Sequence, residues 1–515
     1  MACLASIAVI APWLGQDFFP TVDSATIKLH LRAPTGTRIE ETARLCDLVE
    51  EFIRRQLPAG AVSSITDNIG LPYSGLNLSY SSSAPVGTSD ADILVSLNER
   101  KHVTDRYVHD LRLGLPKQFP GVTFAFLPSD IVSQILNFGL PAPIDIQIVG
   151  HDLEGNRKYA NALLEQVRRV PGIADPRIQQ PSDQPYMHIF VDRTKAQQIG
   201  YTAHDIAQNL LVSLSGSFQT SPTFWVDPKN RVSYQIATQT PQYRVDTLQD
   251  LENVPVTGTG PDTLSSILAN VASVQRGTGA AVVSDYNIQP VLDIFSSIQG
   301  RDLGGVSRDV ARIIERTRGQ LPRGSQVVMR GQVQAMNASF TGLLGGLVFS
   351  IILVYLLIVV NFQSWLDPFI IISTLPAAIT GIVWFLFATD TTVSVPALTG
   401  TIMCMGVATS NSILVVQFAT EKMREGKDVL GAALDAGFTR LRPVVMTAMA
   451  MIIGMVPMSL GLGDGGEQNA PLGRAVIGGL LFATVSTLFF VPTVFSILQG
   501  LRRRASEAVD PSKAI

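Results

Sequence analysis

The chain has 515 residues, 46% of them apolar and 16% charged, with a mean hydropathy of +0.27. A charged fraction well below the roughly 25% of soluble domains argues against an ordinary water-soluble enzyme. The 39 basic residues nearly cancel the 42 acidic ones, and a net charge of −3 gives no electrostatic reason to expect a nucleic-acid partner.

The length suits three or four domains, but the charges are unevenly spread: 60 lie in residues 20–337 and only 14 in residues 340–498. A polar block is therefore followed by a membrane block. Residues 1–14, MACLASIAVIAPWL, are apolar but short for a span, lack a basic leader and have no small-residue cleavage site. They are expected to be a truncated leading transmembrane helix, within residues 1–21, rather than a signal segment.

Residues 25–130 read as strand, helix, strand, twice over. ATIKLHLRAP, ETARLCDLVEEFIRRQL and AVSSITDNI are followed by ADILVSLNE, TDRYVHDLRLGLPKQF and GVTFAFLP, the pattern of a ferredoxin-like α+β unit. The theme returns at 143–190 with PIDIQIVG, NRKYANALLEQVRRVPGI and YMHIFVD, and at 281–331 with PVLDIFSSIQG, SRDVARIIERTRGQLP and SQVVMRG. The Gly-, Thr-, Ser- and Pro-rich stretch 191–280 between them, with VSYQIAT as a strand and AHDIAQNLLVSL as a helix, is expected to be a domain inserted into the second repeat. The GTG triplets at 258–260 and 277–279 lack a following helix start and read as turns. The polar block has no GxSxG, HExxH, Walker A or GxGxxG motif in a catalytic context, so nothing points to an enzyme. Cys3, Cys46 and Cys404 are isolated thiols, and His30, His102, His109, His151, His188 and His204 show no paired spacing. Neither a disulfide framework, a metal site nor a cofactor is implied.

Five apolar runs follow, near 339–361, 368–388, 394–419, 443–462 and 474–498, each close to the roughly 20 residues that cross a bilayer. The connection 420–442 carries Lys422, Arg424, Lys427, Arg440 and Arg442, and the tail carries Arg502, Arg503, Arg504 and Lys513. The positive-inside rule makes these cytoplasmic, so residues of about 20–337 are expected outside. No charge lies at mid-depth. Thr409, Ser410, Asn411 and Ser412 in the third span and Thr447 in the fourth, with Arg440 about 10 Å along the same helix, are either one wall of an ion pathway or interhelical hydrogen-bond glue. Eight of the twelve methionines lie between 403 and 458. Met451, Met455 and Met458 fall on successive turns, but gap-filling between helices outweighs soft-metal ligation as their reading. Glycines 345, 346, 400, 406, 454, 478 and 479 fit close helix packing.

Five segments carry a family resemblance: NFQSWLDPFIIISTLP, GVATSNSILVVQFA, ALDAGFTRLRPVVMTAMAMIIGMVP, AVIGGLLFATVSTLFFVPTVF and GRDLG at 300–304. With them the chain resembles the C-terminal half of resistance-nodulation-division (RND) efflux transporters of the hydrophobe/amphiphile type. The resemblance covers essentially the whole chain. It implies a multi-pass α-helical membrane protein with a large periplasmic α+β region. Ferredoxin-like porter subdomains would span 22–135 and 136–190 with 281–337, a docking subdomain 191–280, five transmembrane helices 338–500 and a cytoplasmic tail 501–515.

The resemblance also implies roles. Arg440 and Thr447 match proton-relay positions, Asn411 keeps the neighbouring asparagine, and Ser410 stands where many of these pumps have the relay lysine. The aspartate pair of the fourth helix belongs to the half of the family that this sequence does not match. Implied too are drug/proton antiport in a trimer of the inner membrane, a periplasmic adaptor, an outer-membrane channel and hydrophobic substrates. The expected function is that of the C-terminal half of such a pump, dependent on a partner that supplies the N-terminal half, either an N-terminal-half RND chain or a full-length RND protomer. The competing expectations are a non-transporting remnant or scaffold and a heavy-metal efflux subunit.

Overall fold

A computed structural model describes residues 2–71, 85–98, 104–219, 221–258, 264–463 and 465–509. Helix α1 (Ala2–Ile10) opens the chain. Strand β1 (Thr26–Arg32), helix α2 (Ile39–Gln56), strands β2 (Val62–Ile69) and β3 (Asp90–Leu97), helix α3 (Thr104–Gln118) and strand β4 (Thr123–Leu127) follow. Alternation along β1 sends Ile27, Leu29 and Leu31 inward, where they meet Cys46, Val49 and Ile53 of α2 and Leu111 and Leu115 of α3. The antiparallel sheet runs β2-β3-β1-β4, the order of a ferredoxin-like unit.

The same βαββαβ path recurs with β5 (Ile144–Val149), α4 (Leu153–Val167), β6 (Ile173–Ile178), the short β7 (Ser284–Tyr286), β8 (Gln289–Ile298), α5 (Leu303–Thr317) and β9 (Gln326–Gly331). Its sheet runs β7-β8-β5-β9, with β6 also paired to β8. Ile144, Ile146 and Ile148 pack with Leu163, Ile294, Val306 and Val310 in its core. The second strand of this repeat is Ile173–Ile178, not the YMHIFVD segment expected from sequence. That segment lies in Gln184–Val191, which pairs antiparallel with Ala272–Gly279 in a separate compact unit, Pro181–Ala281. Pro176 and a left-handed Asp175 (φ 50°) hide the true strand from its residue pattern. Within Pro181–Ala281 the helix Ala203–Ser215 starts with a capping box of Thr202 and Asp205, and Tyr201, Ile206, Leu210, Val256 and Leu268 form the core. The triplet 277–279 is strand rather than turn: Gly277 and Gly279 lie under Tyr186, where a Cβ would come within 2.9 Å of the ring. The triplet 258–260 falls largely outside the described residues.

Strand β9 runs straight into the first long apolar helix, α6 (Gln332–Phe362). Gly331 makes the junction at φ 80°, with the carbonyl oxygen of Pro143 only 2.5 Å from the position of a Cβ. Then come α7 (Leu366–Ile372) with α8 (Leu375–Ala388), α9 (Val395–Arg424), α10 (Val429–Ser459), and α11 (Ala470–Val485) continued by a π-turn, Ser486–Phe490, into α12 (Val491–Val509). Five of the described stretches are long and apolar enough to cross a membrane. The basic connection expected over 420–442 is mostly helix, since α9 and α10 extend beyond their apolar runs and leave only Glu425–Asp428 as a turn. The leading segment packs with this bundle: Ile10 and Leu14 share an apolar cluster with Ile382, Leu386 and Cys404.

Residues 15–18 tie the bundle to the second repeat. Asp17 N–H donates to the Val393 carbonyl and Val393 N–H to that of Gly15, while Gly304 N–H donates to the Gln16 carbonyl at 2.7 Å. This gives the GRDLG segment a structural role. Asp302 caps α5 by accepting from Gly305 N–H, and one of its oxygens also accepts from Gln16 N–H.

Candidate functional site

Helices α9 and α10 lie side by side because small and branched apolar residues, Ala433, Ala436 and Val444 on α10 against Val415, Val416 and Ala419 on α9, share one buried cluster. That contact brings Thr447 and Asn411 together: the single hydroxyl proton of Thr447 has two acceptors in reach, Asn411 Oδ1 at 3.4 Å and, on its own helix, the Val444 carbonyl at 3.0 Å. Asn411 is buried. Ser410, one residue earlier, is exposed on the surface of α9, and its hydroxyl makes no hydrogen bond among the described residues. Arg440 lies toward the turn end of α10 with its guanidinium 5.0 Å above the Phe418 ring, and its buried Nε has no partner among the described residues. Lys422 approaches the same ring at 5.4 Å while paired to Glu425 at 2.6 Å. The four residues singled out from sequence thus sort into one contacting pair, Asn411 and Thr447, and two separate groups, Ser410 and Arg440.

Ser412, named from the sequence within the polar run, belongs to a second polar group on the other side of α9, whose partners Thr374 and Thr487 sequence reasoning missed. Ser412 Oγ lies 3.3 Å from the Thr374 hydroxyl and 3.1 Å from that of Thr487, and all three side chains are fully buried. Thr374 donates in turn to the Ile371 carbonyl, so a chain of hydroxyls from Thr487 through Ser412 to Thr374 can be satisfied end to end. Both ends fall at helix irregularities, the 373–374 break between α7 and α8 and the π-turn. Pro492 supplies the visible signal: it has no N–H for the Leu488 carbonyl four residues earlier. Ser412→Ala is expected to lower stability by about 0.6–1.7 kcal/mol and Thr447→Val by less, with Ser410→Ala neutral, in a chemical denaturation series.

Outside the membrane helices, a cavity of about 630 Å³ lies where the 17–21 segment meets both sheet units, lined among others by Asp17, Asp105, Arg112, Phe126 and Asn137. Burial raises the Asp105 carboxyl above its usual range, with Asp23 adding to this and Arg112 opposing it. Asn137 is fully buried, and neither of its amide atoms has a partner among the described residues. Such a cavity offers both apolar wall and polar points to a ligand.

The family model of AcrB/AcrD/AcrF matches residues 1–499. The chain belongs to this family of RND transporters. Among curated relatives, Protein HelA of Legionella pneumophila is 26% identical over 98% of this chain and 48% of its own length. The cobalt-zinc-cadmium resistance protein CzcA of Cupriavidus metallidurans is 23% identical over 98% and 47%. Multidrug resistance protein MdtC of Proteus mirabilis is 28% identical over 95% and 45%. The crystal structure of a heavy metal efflux pump superposes with a TM-score of 0.79 over 97% of this chain and 49% of that one, at 22% identity, which establishes the shared fold. The chain spans about half the length of the curated relatives it matches. The family is one of efflux transporters of the inner membrane, not of enzymes, and its relatives include both multidrug and heavy-metal proteins.

Proposed function

We propose that this RND chain exports hydrophobic or amphiphilic compounds by proton antiport, working against a complementary RND half that supplies the family's aspartate pair. The observation that carries this reading is the state of α10. Most of its apolar surface is exposed in this chain, and Thr447 on α10 and Ser410 on the neighbouring α9, at two of the relay positions, are exposed. Polar groups on the surface of membrane helices call for a partner rather than lipid. In this reading Arg440, Thr447 and Asn411 line the proton path and Ser410 replaces the usual lysine without its charge. The two βαββαβ repeats act as porter subdomains, Pro181–Ala281 as the docking subdomain. The α9 end and turn that carry Lys422, Arg424 and Lys427 face the cytoplasm and residues 20–337 the periplasm. The assembly is a trimer with a periplasmic adaptor and an outer-membrane channel.

Reconstitution tests the reading. Proton-driven movement of an amphiphilic dye is expected in proteoliposomes only when a chain carrying the aspartate pair is included, and Arg440→Ala should abolish it. Robust transport by this chain alone would overturn the requirement for a complementary half. A heavy-metal reading draws support from the match to CzcA over 98% of the chain. It predicts cobalt, zinc or cadmium sensitivity, without dye sensitivity, in a deletion strain. Loss of neither resistance, with no transport in any combination, supports a scaffold.

A further inference from the structure

Strand alternation in the second repeat sends the isoleucines of β5 to the helices and Asp145 and Gln147 to the opposite face. Register places Asp145 beside Phe295 and Arg330, and Gln147 beside Asp293 and Val328. Two acids therefore share one buried face: Asp145 is fully buried, and Asp293 and Gln147 are 7% exposed. A single amide bridges them, Gln147 Nε2 donating to Asp145 Oδ2 at 2.9 Å and to Asp293 Oδ1 at 3.1 Å.

The remaining partners are unequal. Asp293 Oδ2 accepts from Gln180 Nε2 at 2.6 Å, but Asp145 Oδ1 and Gln147 Oε1 are buried with no partner among the described residues. Cations are near but bond to neither acid: all three guanidinium nitrogens of Arg177, and Nε of Arg330, are buried without a hydrogen-bond partner among the described residues. Arg330 from β9 lies 4.0 Å over the Tyr286 ring and Arg177 from β6 lies 5.7 Å over Phe295. Around Arg177 the first sheet contributes Arg32, Asp90 and Asp92, with His30 bonded to Asp92, and β7 carries Asp285. No described cation forms an ion pair with Asp145 or Asp293. Two like charges on one buried amide bridge are strongly disfavoured.

We propose that Asp145 and Asp293, joined through the Gln147 amide, form a proton-binding site outside the membrane that takes up one proton for the pair and whose emptying at alkaline pH loosens the stems of the 181–281 insertion. Asp293 is where those stems are fastened. Gln180, the last residue before the insertion, donates to the Asp293 carboxyl and to Ser284 Oγ at 3.1 Å and accepts from Asp293 N–H at 3.0 Å, and Gln179 N–H donates to the Asp293 carbonyl. A second negative charge beside this clamp repels Asp293 from the amide bridge that joins the two acids.

The direction agrees. Burial raises both carboxyls; Asp293 raises Asp145 further against the opposing effects of Gln147 and Arg330, while at Asp293 burial is opposed by the hydrogen bonds from Gln180 and Gln147. A carboxyl protonated in the fold and ionised in the unfolded chain stabilises fully below its unfolded pKa near 4. That stability is lost as pH rises through the folded value.

The site is independent of the transport reading and is tested without transport, on the full chain in detergent. Infrared difference spectra should show the carbonyl stretch of a protonated carboxyl at neutral pH that disappears in Asp145→Asn and in Asp293→Asn. Hydrogen exchange in peptides over 176–182 and 284–296, corrected for intrinsic rate, should rise at least about tenfold between roughly pH 6 and pH 9, and Asp145→Asn should hold it flat. A band that survives both substitutions, or exchange independent of pH in the unsubstituted chain, would overturn the proposal. If one variant fails to fold, the other still decides the infrared assignment.

Discussion

Arg112→Ala is expected to destabilise the chain by about 3–5 kcal/mol, the cost of stranding a buried carboxylate. Arg112, on α3 of the first repeat, makes a two-pronged pair with Asp175, on β6 of the second, at 2.8 and 2.6 Å. Asp175 is 5% exposed and Arg112 17%, so solvent cannot replace the lost guanidinium. The pair is braced on both sides, since Phe126 N–H donates to Asp175 at 3.0 Å and the guanidinium lies 4.9 Å over the Phe126 ring. The penalty comes mainly from the acid left behind rather than from the attraction removed, which fixes the control. Arg112→Ala combined with Asp175→Asn should recover a large part of the loss. Asparagine tolerates the left-handed backbone at this position and carries no charge. Denaturant titrations of the two variants and of the unsubstituted chain measure the difference, and a double variant no better than the single one would reassign the effect to lost packing.

How much of this was legible in the sequence depends on whether the signal was periodic. The first repeat was readable because Ile27, Leu29 and Leu31 alternate while Thr42, Cys46, Val49 and Ile53 follow the helical period. The five apolar runs were readable by length alone. The second strand of the second repeat was not: IADPRI carries a proline and a left-handed aspartate, and its pairing with β8 includes a register shift between Phe295 and Ser297. The exposed, well-patterned YMHIFVD was the more persuasive strand in isolation, and only tertiary pairing shows that it belongs to the insertion. Membrane polar residues were visible as a run, but a run does not reveal faces. Successive residues on α9 turn by about 100°, so Ser410 is exposed, Asn411 meets α10 and Ser412 meets Thr374 and Thr487. The carboxyl pair was invisible because Asp145 and Asp293 are 148 positions apart in sequence, and nothing local marks an acid as buried.

The glycines expected to pack helices divide in the same way, and the division makes the second large prediction. Gly478→Ala should disrupt the bundle, with a loss of about 3 kcal/mol or more. A Cβ at Gly478 would come within 2.2 Å of Phe385 Cβ and 2.7 Å of the Gly381 carbonyl oxygen, and one at Gly381 within 2.4 Å of the Gly478 carbonyl oxygen. Each glycine thus admits the other's backbone, and no rotamer of an added methyl relieves a clash with a carbonyl. Gly479 and Gly400 continue the seam, the first against Cys404 Sγ at 2.5 Å and the second against the Leu472 carbonyl oxygen at 2.7 Å. Gly345, Gly346, Gly406 and Gly454 instead have nothing within 4 Å of a built Cβ, so alanine there should leave this chain as stable or slightly more so, since alanine favours helix. The contrast is measured by unfolding each variant in a graded detergent mixture. Equal stability of Gly478→Ala and Gly454→Ala would mean that α8 and α11 do not touch as described. Loss of co-assembly with a complementary RND half on Gly454→Ala or Gly406→Ala, without loss of stability in the chain alone, would locate the partner's helices on those open faces.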